Sequence, residues 1–434
     1  MSAADRTPGA GRGALIVTLG CRLNQADSAL LTDRLSRLGF RILESGGVEV
    51  PALAVVNSCT VTAAAAAKSR QAARRLHKLY PGALVVLTGC SAELDYGGRR
   101  RAADGVAILS NPEKRDIGAL LDDFLSGRLP DQPMARSADE PAAVFREEAF
   151  GQFPFRTRAF LKIQEGCDDF CSYCIVPHSR GRERSRAFDE VVDDCRRAVA
   201  AGCPEVVLTG VNTCAYEDAG RGLNELIATL CETVPGDWRL RLSSTEPAPD
   251  NLALLEVMAR YPGRVCRFLH LALQHGSDRI LHLMNRHYTT REYAEFAAAA
   301  RRRMPDIHLG SDVIVGFPGE TEADFEESLA FIRSMKFANL HIFSYSRRAG
   351  TPAATMPGQV PEAVKKRRHR ALEQLGEEMA AEFRQSQIGK ILPVIFETAD
   401  AEGNAHGWSD NYLAVSRPAR EVELRRIVLV EYRG

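Results

Sequence analysis

The sequence lacks a net charge, a long apolar run and the apolar core of a signal peptide. Its 56 basic and 56 acidic side chains cancel, so no overall field predicts a nucleic-acid partner. No stretch approaches the roughly 18 apolar residues of a membrane-spanning helix. The segment from Met1 to Gly13 is polar, unlike a secretory leader. We therefore expect a cytoplasmic protein without a membrane partner.

The cysteines lack the arrangement that disulfides or structural zinc would need. There are eleven of them, an odd number, which argues against a fully paired secreted framework. No two cysteine pairs stand at the spacing of a zinc ribbon. Because clustered cysteines in a reducing cytoplasm are more often metal ligands or catalysts than disulfides, we expect metal or catalytic chemistry.

Changes of pattern divide the 434 residues into three predicted domains. Residues 13–128 alternate short apolar runs with amphipathic stretches, which predicts an α/β domain with a parallel sheet. Residues 129–152 are rich in Pro, Ala, Asp and Arg and are predicted to be a linker. Residues 153–387 resume the strand and helix alternation. Residues 388–434 are predicted to be a small β domain, with strand-like runs at 392–396, 412–415 and 422–430.

Three cysteines of the first predicted domain each follow a short apolar run, and we call them the N-terminal cysteine set: Cys21, Cys59 and Cys90. The carboxyl ends of parallel strands form the crevice in which open α/β sheets bind ligands. We therefore expect the three thiols to meet at one sheet edge. The alternative is that they are three small buried hydrophobic side chains.

The second predicted domain contains a series of strand-like runs separated by amphipathic stretches. Such a series predicts a complete or partial parallel βα barrel, with chemistry at the carboxyl ends of its strands. A charged helix is predicted from residue 361 to residue 387. The predicted strands are Glu205–Thr209, Arg239–Leu242, Phe268–Leu271, Ile307–Leu309 with Asp312–Val315, and Leu340–Phe343.

The most specific pattern is Cys-x3-Cys-x2-Cys at Cys167, Cys171 and Cys174, which we call the motif cysteine set. Three thiolates in one tight loop suit an iron–sulfur cubane whose fourth iron is left open for a substrate or cofactor. Structural zinc would need a fourth ligand from a nearby Asp or His. The same reasoning gives a second cluster on the N-terminal set. The remaining cysteines show no ligand spacing and are predicted to be buried or incidental: Cys195, Cys203, Cys214, Cys231 and Cys266.

On these residues the sequence resembles the radical S-adenosylmethionine methylthiotransferase family over nearly its whole length. The motif set, with Tyr173 before its last cysteine, is similar to the superfamily motif. The segment 407–412 resembles the RNA-binding β domain called TRAM, with Ser409 in place of threonine. Other segments that carry the resemblance are Gly20–Gln25, Asn57–Thr62, Thr88–Cys90, Leu208–Asn212, Ser243–Pro247, Gln274–Asp278 and Asp312–Thr321.

The resemblance implies an α/β domain, a radical barrel, a TRAM-like tail, two 4Fe-4S clusters and S-adenosylmethionine as cofactor. The catalytic cluster, on the motif set, would bind S-adenosylmethionine and reduce it to a 5'-deoxyadenosyl radical, which removes a hydrogen from carbon 2 of an adenine. Sulfur carried at the cluster on the N-terminal set, methylated by a second S-adenosylmethionine, would then join that carbon.

Four further residues are expected by resemblance to hold S-adenosylmethionine. Tyr173 would support the adenine side through backbone groups, and Gly210 would let its strand approach the amino end. Ser244 and Glu246 stand at a predicted strand end, where ribose and charged groups are commonly held. Their alternative role is barrel packing and salt bridging.

Within the family, Arg22, Leu23 and Gln25 resemble the branch that modifies N6-threonylcarbamoyladenosine beside the anticodon. The expected partners are the anticodon stem-loop of tRNA and an electron donor such as flavodoxin or ferredoxin. The alternatives are methylthiolation of isopentenyladenosine in tRNA or of a ribosomal-protein aspartate. Ala272 and His275 depart from the family's Leu-Pro-Leu-Gln-Ser-Gly-Ser run.

A rival from another class is a noncatalytic, metal-containing RNA-binding protein. Its main features would be the β tail and the basic run from Lys365 to Arg370. Such a run is more often a solvated helix face than a phosphate site. Iron and sulfide in the purified protein, with cleavage of S-adenosylmethionine, would exclude this rival.

Overall fold

The computed structural model describes residues 11–44, 46–96, 99, 102, 105–126, 137, 145, 157–247 and 251–434. Most of the predicted linker 129–152 and the predicted domain start at 153 lie outside the described residues. No helix in the described part of the chain combines the length and apolar character that crossing a membrane requires. The chain forms two compact units. The first comprises Met1–Pro154, Gln164–Asp168 and Cys174–Arg186, and the second comprises Phe155–Ile163, Asp169–Tyr173 and Ala187–Gly434.

The first unit is built on a five-stranded parallel sheet in the order β2-β1-β3-β4-β5. Its strands are Gly13–Thr18 (β1), Arg41–Leu43 (β2), Leu53–Ser58 (β3), Leu84–Gly89 (β4) and Ala107–Ile108 (β5). Its helices are Arg22–Arg37 (α1), Ala63–Leu79 (α2), Cys90–Asp95 (α3), Ile117–Leu125 (α4) and Val176–Arg180 (α5). The prediction of a parallel α/β domain is confirmed.

Local sequence explains most of these elements. Every residue of β3 is buried, which is why its sequence is a continuous apolar run and not an alternating one. Helix α2 is alanine-rich, and Thr62 caps it by accepting the N–H of Ala65. Helix α1 begins at Arg22, so Cys21 is its N-cap residue.

The second unit contains an open series of parallel strands. One sheet has the order β8-β7-β6, the next has the order β9-β10-β11-β12, and β9 starts two residues after β8 ends. The predicted partial barrel is thus confirmed. The strands are Arg158–Lys162 (β6), Glu205–Thr209 (β7), Arg239–Leu242 (β8), Ser244–Thr245 (β9), Phe268–Leu271 (β10), His308–Val315 (β11) and Asn339–Ser344 (β12).

Helices separate the barrel strands and carry strong start signals. Thr289 and Thr321 each form a capping box with an acidic residue three positions later, Glu292 and Asp324. The helices are Phe188–Ala200 (α6), Leu223–Thr233 (α7), Leu252–Arg260 (α8), Asp278–Leu283 (α9), Thr290–Arg303 (α10), Glu322–Met335 (α11) and Glu362–Gln387 (α12).

Helix α12 carries the basic run, and only part of that run is solvated. Lys365 is buried and donates to the carbonyl of Tyr345 at 3.2 Å. Arg368 is buried and pairs with Glu320 and Glu322, each at 3.0 Å. The prediction of a solvated helix face is therefore wrong for Lys365 and Arg368, which tie α12 to the barrel.

The tail forms an antiparallel sheet in the order β15-β14-β13-β16. Its strands are Ile391–Ala399 (β13), Asn404–Ser409 (β14), Ala414–Pro418 (β15) and Ile427–Glu431 (β16). Leu392, Val394 and Phe396 lie in its buried core. The predicted β tail is confirmed, although β14 was not among the predicted strands.

The tail docks on the barrel through buried arginines of β8. Glu205 accepts Arg239 Nε at 2.6 Å and Arg241 Nε at 2.9 Å. The same two arginines donate to the carbonyls of Trp408 at 3.0 Å and Asp410 at 2.9 Å. Burial by itself would raise the pKa of Glu205, but the charges of Arg241 and Arg239 hold that pKa well below its usual range.

The TRAM-like segment thus takes part in this docking. Asp410 accepts Arg267 Nε at 2.7 Å and Nη2 at 3.0 Å, a bidentate pair. Ser409 and Asn411 are completely buried. Their side chains serve the fold at this contact.

Candidate functional site

The N-terminal cysteine set lies at the carboxyl edge of the first sheet. Cys21 comes three residues after β1, Cys59 directly follows β3, and Cys90 directly follows β4. These strands are neighbours in the sheet, and the Cys59 thiol interacts electrostatically with both Cys90 and Cys21. The structure therefore brings the three predicted residues together.

Two glycines allow this close approach. Gly20 has φ +98°, and a Cβ built on it would lie 2.6 Å from Cys59 Cβ and 2.7 Å from Cys59 Sγ. Gly89 has φ +92°, and a Cβ there would lie 2.5 Å from the carbonyl oxygen of Ser58. Only glycine fits these positions, which accounts for the glycine that precedes Cys21 and the one that precedes Cys90.

Asn24 ties two of the cysteine-bearing loops together. Its side-chain nitrogen donates to the carbonyl of Leu19 at 2.6 Å and to that of Ser58 at 2.9 Å. The backbone carbonyl of Asn24 in turn accepts the side chain of Asn57 at 2.8 Å. The asparagines of the two family segments thus fix the loops that carry Cys21 and Cys59.

Arg180, which the sequence analysis did not single out, lies against the same set. Its Nε donates to Cys90 Sγ at 3.2 Å, and its other nitrogens bind Glu165 at 2.6 Å, Asn24 at 2.6 Å and Asp27 at 3.1 Å. Burial opposes the charge of this guanidinium, but Cys90, Asp27 and Glu165 hold its pKa well above the usual value. The sequence signal that could have identified Arg180 is its position as a basic residue soon after the motif cysteine set.

The motif cysteine set lies in the loop between the two-residue strand Gln164–Glu165 and helix α5. Gly166, just before Cys167, has φ +74°, and a Cβ there would lie 1.9 Å from the carbonyl oxygen of Arg182. The backbone N–H of Cys167 donates to the carbonyl of Gly181 at 3.3 Å. The start of the loop is therefore held tightly against the chain that follows α5.

Cys171 has a buried arginine of its own. Arg286 Nη1 donates to Cys171 Sγ at 3.1 Å, and Nη2 binds Glu246 Oε1 at 2.7 Å. Arg286 Nε lies 3.1 Å from the hydroxyl of Tyr288. Burial raises the pKa of the Cys171 thiol, and the charge of Arg286 partly offsets that shift.

The other residues predicted to hold S-adenosylmethionine lie on the barrel. Tyr173 packs against a core cluster that includes Phe317 and interacts electrostatically with Arg286. Gly210 directly follows β7. Ser244, in β9, is exposed, and its carbonyl accepts the Thr213 hydroxyl at 2.9 Å. The structure thus brings Tyr173 and Glu246 to Arg286 beside Cys171, while Gly210 and Ser244 stand at strand ends.

The two departures from the family run are buried. The carbonyls of Ala272 and Leu273 accept the hydroxyl of Tyr288. His275 Nδ1 accepts the N–H of Ser277 at 3.1 Å. Ala272 is therefore linked to Arg286 through Tyr288, whereas His275 makes its hydrogen bond within its own loop.

Of the remaining five cysteines, three are buried and two are partly buried. Burial raises the pKa of these thiols to about 11 or 12, the opposite of what a reactive thiol needs. The residues concerned are Cys195, Cys203, Cys214, Cys231 and Cys266.

A polar array that the sequence analysis missed lies on three neighbouring barrel strands. Asp312 Oδ1 is 3.0 Å from His270 Nε2 and 3.2 Å from His341 Nδ1. Burial opposes the charge, but these two hydrogen bonds hold the pKa of Asp312 below its usual range. The residues are 42 and 29 positions apart along the chain, so no local pattern reveals the array.

The donor chemistry of both cysteine sets fits an iron–sulfur cluster. None of the six cysteines forms a disulfide, and soft thiolates are the ligands such clusters prefer. Burial raises the pKa of Cys59 to about 11, so binding of a metal to this thiolate would release a proton. Each set offers three cysteines, which would leave one of four irons open.

Comparison with known proteins places these features in a family. Residues 161–332 match the model of the radical SAM superfamily, and residues 14–109 match that of uncharacterized protein family UPF0004. The threonylcarbamoyladenosine tRNA methylthiotransferase MtaB of Bacillus subtilis is 35% identical over 95% of this chain and 92% of its own. The tRNA-2-methylthio-N(6)-dimethylallyladenosine synthase of Wolbachia pipientis wMel is 35% identical over 89% of this chain and 88% of its own.

A solved structure supports the same fold. The radical S-adenosylmethionine methyltransferase TsrM of Kitasatospora setae, with cobalamin and a [4Fe-4S] cluster bound, aligns with a TM-score of 0.57 and 16% identity over 79% of this chain and 77% of that chain. This likeness concerns the fold alone. The two relatives described above are 35% identical to this chain over 95% and 89% of its length. This similarity shows that the chain belongs to the radical S-adenosylmethionine methylthiotransferase family.

Proposed function

We propose that the chain adds a methylthio group to carbon 2 of N6-threonylcarbamoyladenosine in tRNA, which gives 2-methylthio-N6-threonylcarbamoyladenosine. The observation that carries the proposal is the 35% identity, over 95% of the chain, to a relative named a threonylcarbamoyladenosine tRNA methylthiotransferase. A second relative of that name, from Thermotoga maritima, is 34% identical over 92% of the chain. The reaction on tRNA is expected in the cytoplasm.

The family uses S-adenosylmethionine and 4Fe-4S clusters, and we assign one cluster to each cysteine set. When bound, the cluster on the motif set supplies the electron that cleaves S-adenosylmethionine, and the cluster on the N-terminal set supplies the site of sulfur transfer. The protein's part is to hold both sets, orient the substrate and exclude water. The burial of Cys59 and Cys171 and the glycines beside each set support this assignment.

Residues around Cys171 are proposed to bind S-adenosylmethionine. Glu246, held by Arg286, offers a carboxylate to a positive group, and its side chain is 27% exposed. Tyr173 offers backbone groups in the cysteine loop, and Gly210 and Ser244 offer them at strand ends, where barrel enzymes bind substrates. An electron donor such as flavodoxin or ferredoxin would reduce the cluster.

We assign contact with the tRNA anticodon stem-loop to the β tail. Arg417, Arg420 and Arg426 lie in or next to its strands, and Arg420 and Arg426 are largely exposed. Exposed guanidinium groups are suited to phosphate oxygens. The docking of Ser409 and Asp410 on the barrel would fix this surface relative to the barrel.

A second candidate substrate is dimethylallyladenosine in tRNA. The relative from Wolbachia named for it has the same identity, over a smaller share of the chain. The two reactions share both clusters and differ in the group on nitrogen 6, so product analysis separates them.

The test is mass spectrometry of tRNA nucleosides from cells that lack the gene and express either the wild-type protein or a variant. Wild type should restore 2-methylthio-N6-threonylcarbamoyladenosine, and Cys171→Ala and Cys59→Ala should not. Cys203→Ala, a buried cysteine outside both sets, is the matched control and should restore it. In the purified enzyme, Cys59→Ala should still cleave S-adenosylmethionine.

Each other outcome has a defined meaning. Restoration of the dimethylallyl product alone would overturn the substrate and keep the reaction. Restoration by Cys171→Ala would overturn the assignment of the catalytic cluster. No change in either nucleoside would show that tRNA is not the substrate.

A further inference from the structure

Each cysteine set has one buried arginine that donates a hydrogen bond to a cysteine sulfur. Arg180 Nε is 3.2 Å from Cys90 Sγ in the first unit, and Arg286 Nη1 is 3.1 Å from Cys171 Sγ in the second. Their side chains are only 2% and 4% exposed. Burying a guanidinium is costly, so two such arginines beside two ligand sets call for a functional reason.

Carboxylates hold both arginines in position. Arg180 binds Glu165 at 2.6 Å and Asp27 at 3.1 Å, and Arg286 binds Glu246 at 2.7 Å. Together with the Tyr288 hydroxyl at Arg286 Nε, these carboxylates occupy the remaining nitrogens of each guanidinium and leave one nitrogen directed toward the sulfur. The planar fork of arginine can serve a carboxylate and a sulfur at once, whereas the point charge of lysine cannot do so in the same geometry.

The chemical effect of such a contact depends on the state of the sulfur. A thiol is a weak acceptor, but a thiolate that binds iron is charged and accepts a stronger hydrogen bond. Hydrogen bonds to cluster sulfurs and nearby charge are among the factors that set the reduction potential of an iron–sulfur cluster. Because reduction adds negative charge, a buried donor with a positive charge stabilises the reduced form more and raises the potential.

We propose that Arg180 and Arg286 are positioning residues, each of which raises the reduction potential of one cluster independently of the other. Arg180 acts on the cluster of the N-terminal set through Cys90, and Arg286 acts on the cluster of the motif set through Cys171. The inference rests on the proposed assignment of one cluster to each set. Each arginine thus acts on one cluster through a contact whose two residues belong to the same unit.

The test uses two full-length parent proteins that each keep one cluster. One parent has alanine at the three motif cysteines, and the other has alanine at the three N-terminal cysteines. Arg180→Lys and Arg286→Lys are made in both parents, and the reduced cluster is titrated against potential by electron paramagnetic resonance. Lysine keeps the charge and removes the directed N–H.

In the parent that keeps the N-terminal set, Arg180→Lys should lower the ratio of reduced to oxidised cluster at fixed potential about tenfold, which is about 59 mV for one electron. Arg286→Lys should leave that parent unchanged, and the pattern should reverse in the other parent. Lys114→Met is a further control for the first unit, since Lys114 pairs with the same Asp27 at 2.9 Å. It should shift the potential much less than Arg180→Lys does.

A loaded cluster whose potential does not move, or an equal shift in both parents, would overturn the proposal. A parent that binds no iron while wild type does would instead overturn the cluster assignment. A measurement on the two parents, in which both arginines are kept, covers arginine variants that fail to fold. With arginine labelled by nitrogen-15 in the guanidinium, pulsed resonance should detect nitrogen coupling to the reduced cluster in each parent, and loaded clusters without coupling would refute the contact.

Discussion

The contact between Gly20 and Cys59 allows a sharp prediction about Gly20→Ala. An added Cβ would lie 2.6 Å from Cys59 Cβ and 2.7 Å from Sγ, about 1 Å closer than an ordinary contact between carbons. Cys59 cannot move freely, because its N–H is bound to the Ser69 hydroxyl at 3.1 Å. Overpacking costs about 1–3 kcal/mol, and the backbone at φ +98° adds strain of about 1–3 kcal/mol for a residue with a side chain.

Gly202→Ala is the matched control. Gly202 has φ +89°, but a Cβ there would meet nothing within 4 Å, so only the backbone strain of about 1–3 kcal/mol applies. The free energy of unfolding in denaturant and the iron bound per chain are measured for both variants. We expect Gly20→Ala to lose about 2–6 kcal/mol and roughly half of the iron, since one cluster of two is affected. Equal stabilities with full iron in both variants would refute the steric argument.

Three further predictions test other parts of the structure. Gly166→Ala should lower iron in the motif set, because its Cβ would lie 1.9 Å from a backbone oxygen; a fully loaded variant that cleaves S-adenosylmethionine would contradict this. Glu205→Gln should cost about 3–5 kcal/mol by leaving buried arginines unpaired. The pKa of Glu205 is depressed in the folded state. Its contribution to the free energy of unfolding is therefore complete above the unfolded pKa of about 4.3 and is lost as pH falls toward the folded value. Between pH 6 and pH 3, the free energy of unfolding should depend less on pH in Glu205→Gln than in wild type. Asp410→Ala should speed hydrogen exchange in the tail strands by weakening a bidentate pair worth about 1.5–3 kcal/mol, and unchanged exchange would refute the docking role.

Sequence pattern predicted the barrel strands well because their burial is continuous. Strands β7, β8 and β10 have the predicted bounds, and each is buried at every position. The single strand β11 was predicted as two runs because Gly310 and Ser311 interrupt the apolar residues. Gly310 belongs in the strand for a packing reason, since a Cβ there would lie 3.1 Å from His270 Nδ1.

The missed strand β14 shows the opposite case. Its sequence from Asn404 to Ser409 includes glycine, histidine and serine and has little intrinsic strand preference. It forms because β13 and β15 pair with it on both sides. Partners that lie elsewhere in the sequence therefore decide its conformation, and a local pattern cannot reveal them.

The same distinction between local pattern and partners distant in sequence applies to the candidate site. Cysteine spacing and strand ends were enough to single out both cysteine sets, because each cysteine stands in a recognisable local position. The arginines beside them were missed, because Arg180 is 90 residues from Cys90 and Arg286 is 115 residues from Cys171. Local sequence therefore gives the candidate ligands, and the fold gives the side chains that contact them.

The balanced charge of the chain has a related explanation. Arg180, Arg239 and Arg241 are among its largest completely buried side chains, and each is paired with a buried carboxylate. These charged side chains therefore do not contribute to the protein surface, and their ion pairs connect strands, loops and the tail in the interior. A net charge of zero is thus compatible with a tRNA substrate, because the phosphate-binding surface depends on where the exposed arginines lie and not on their total.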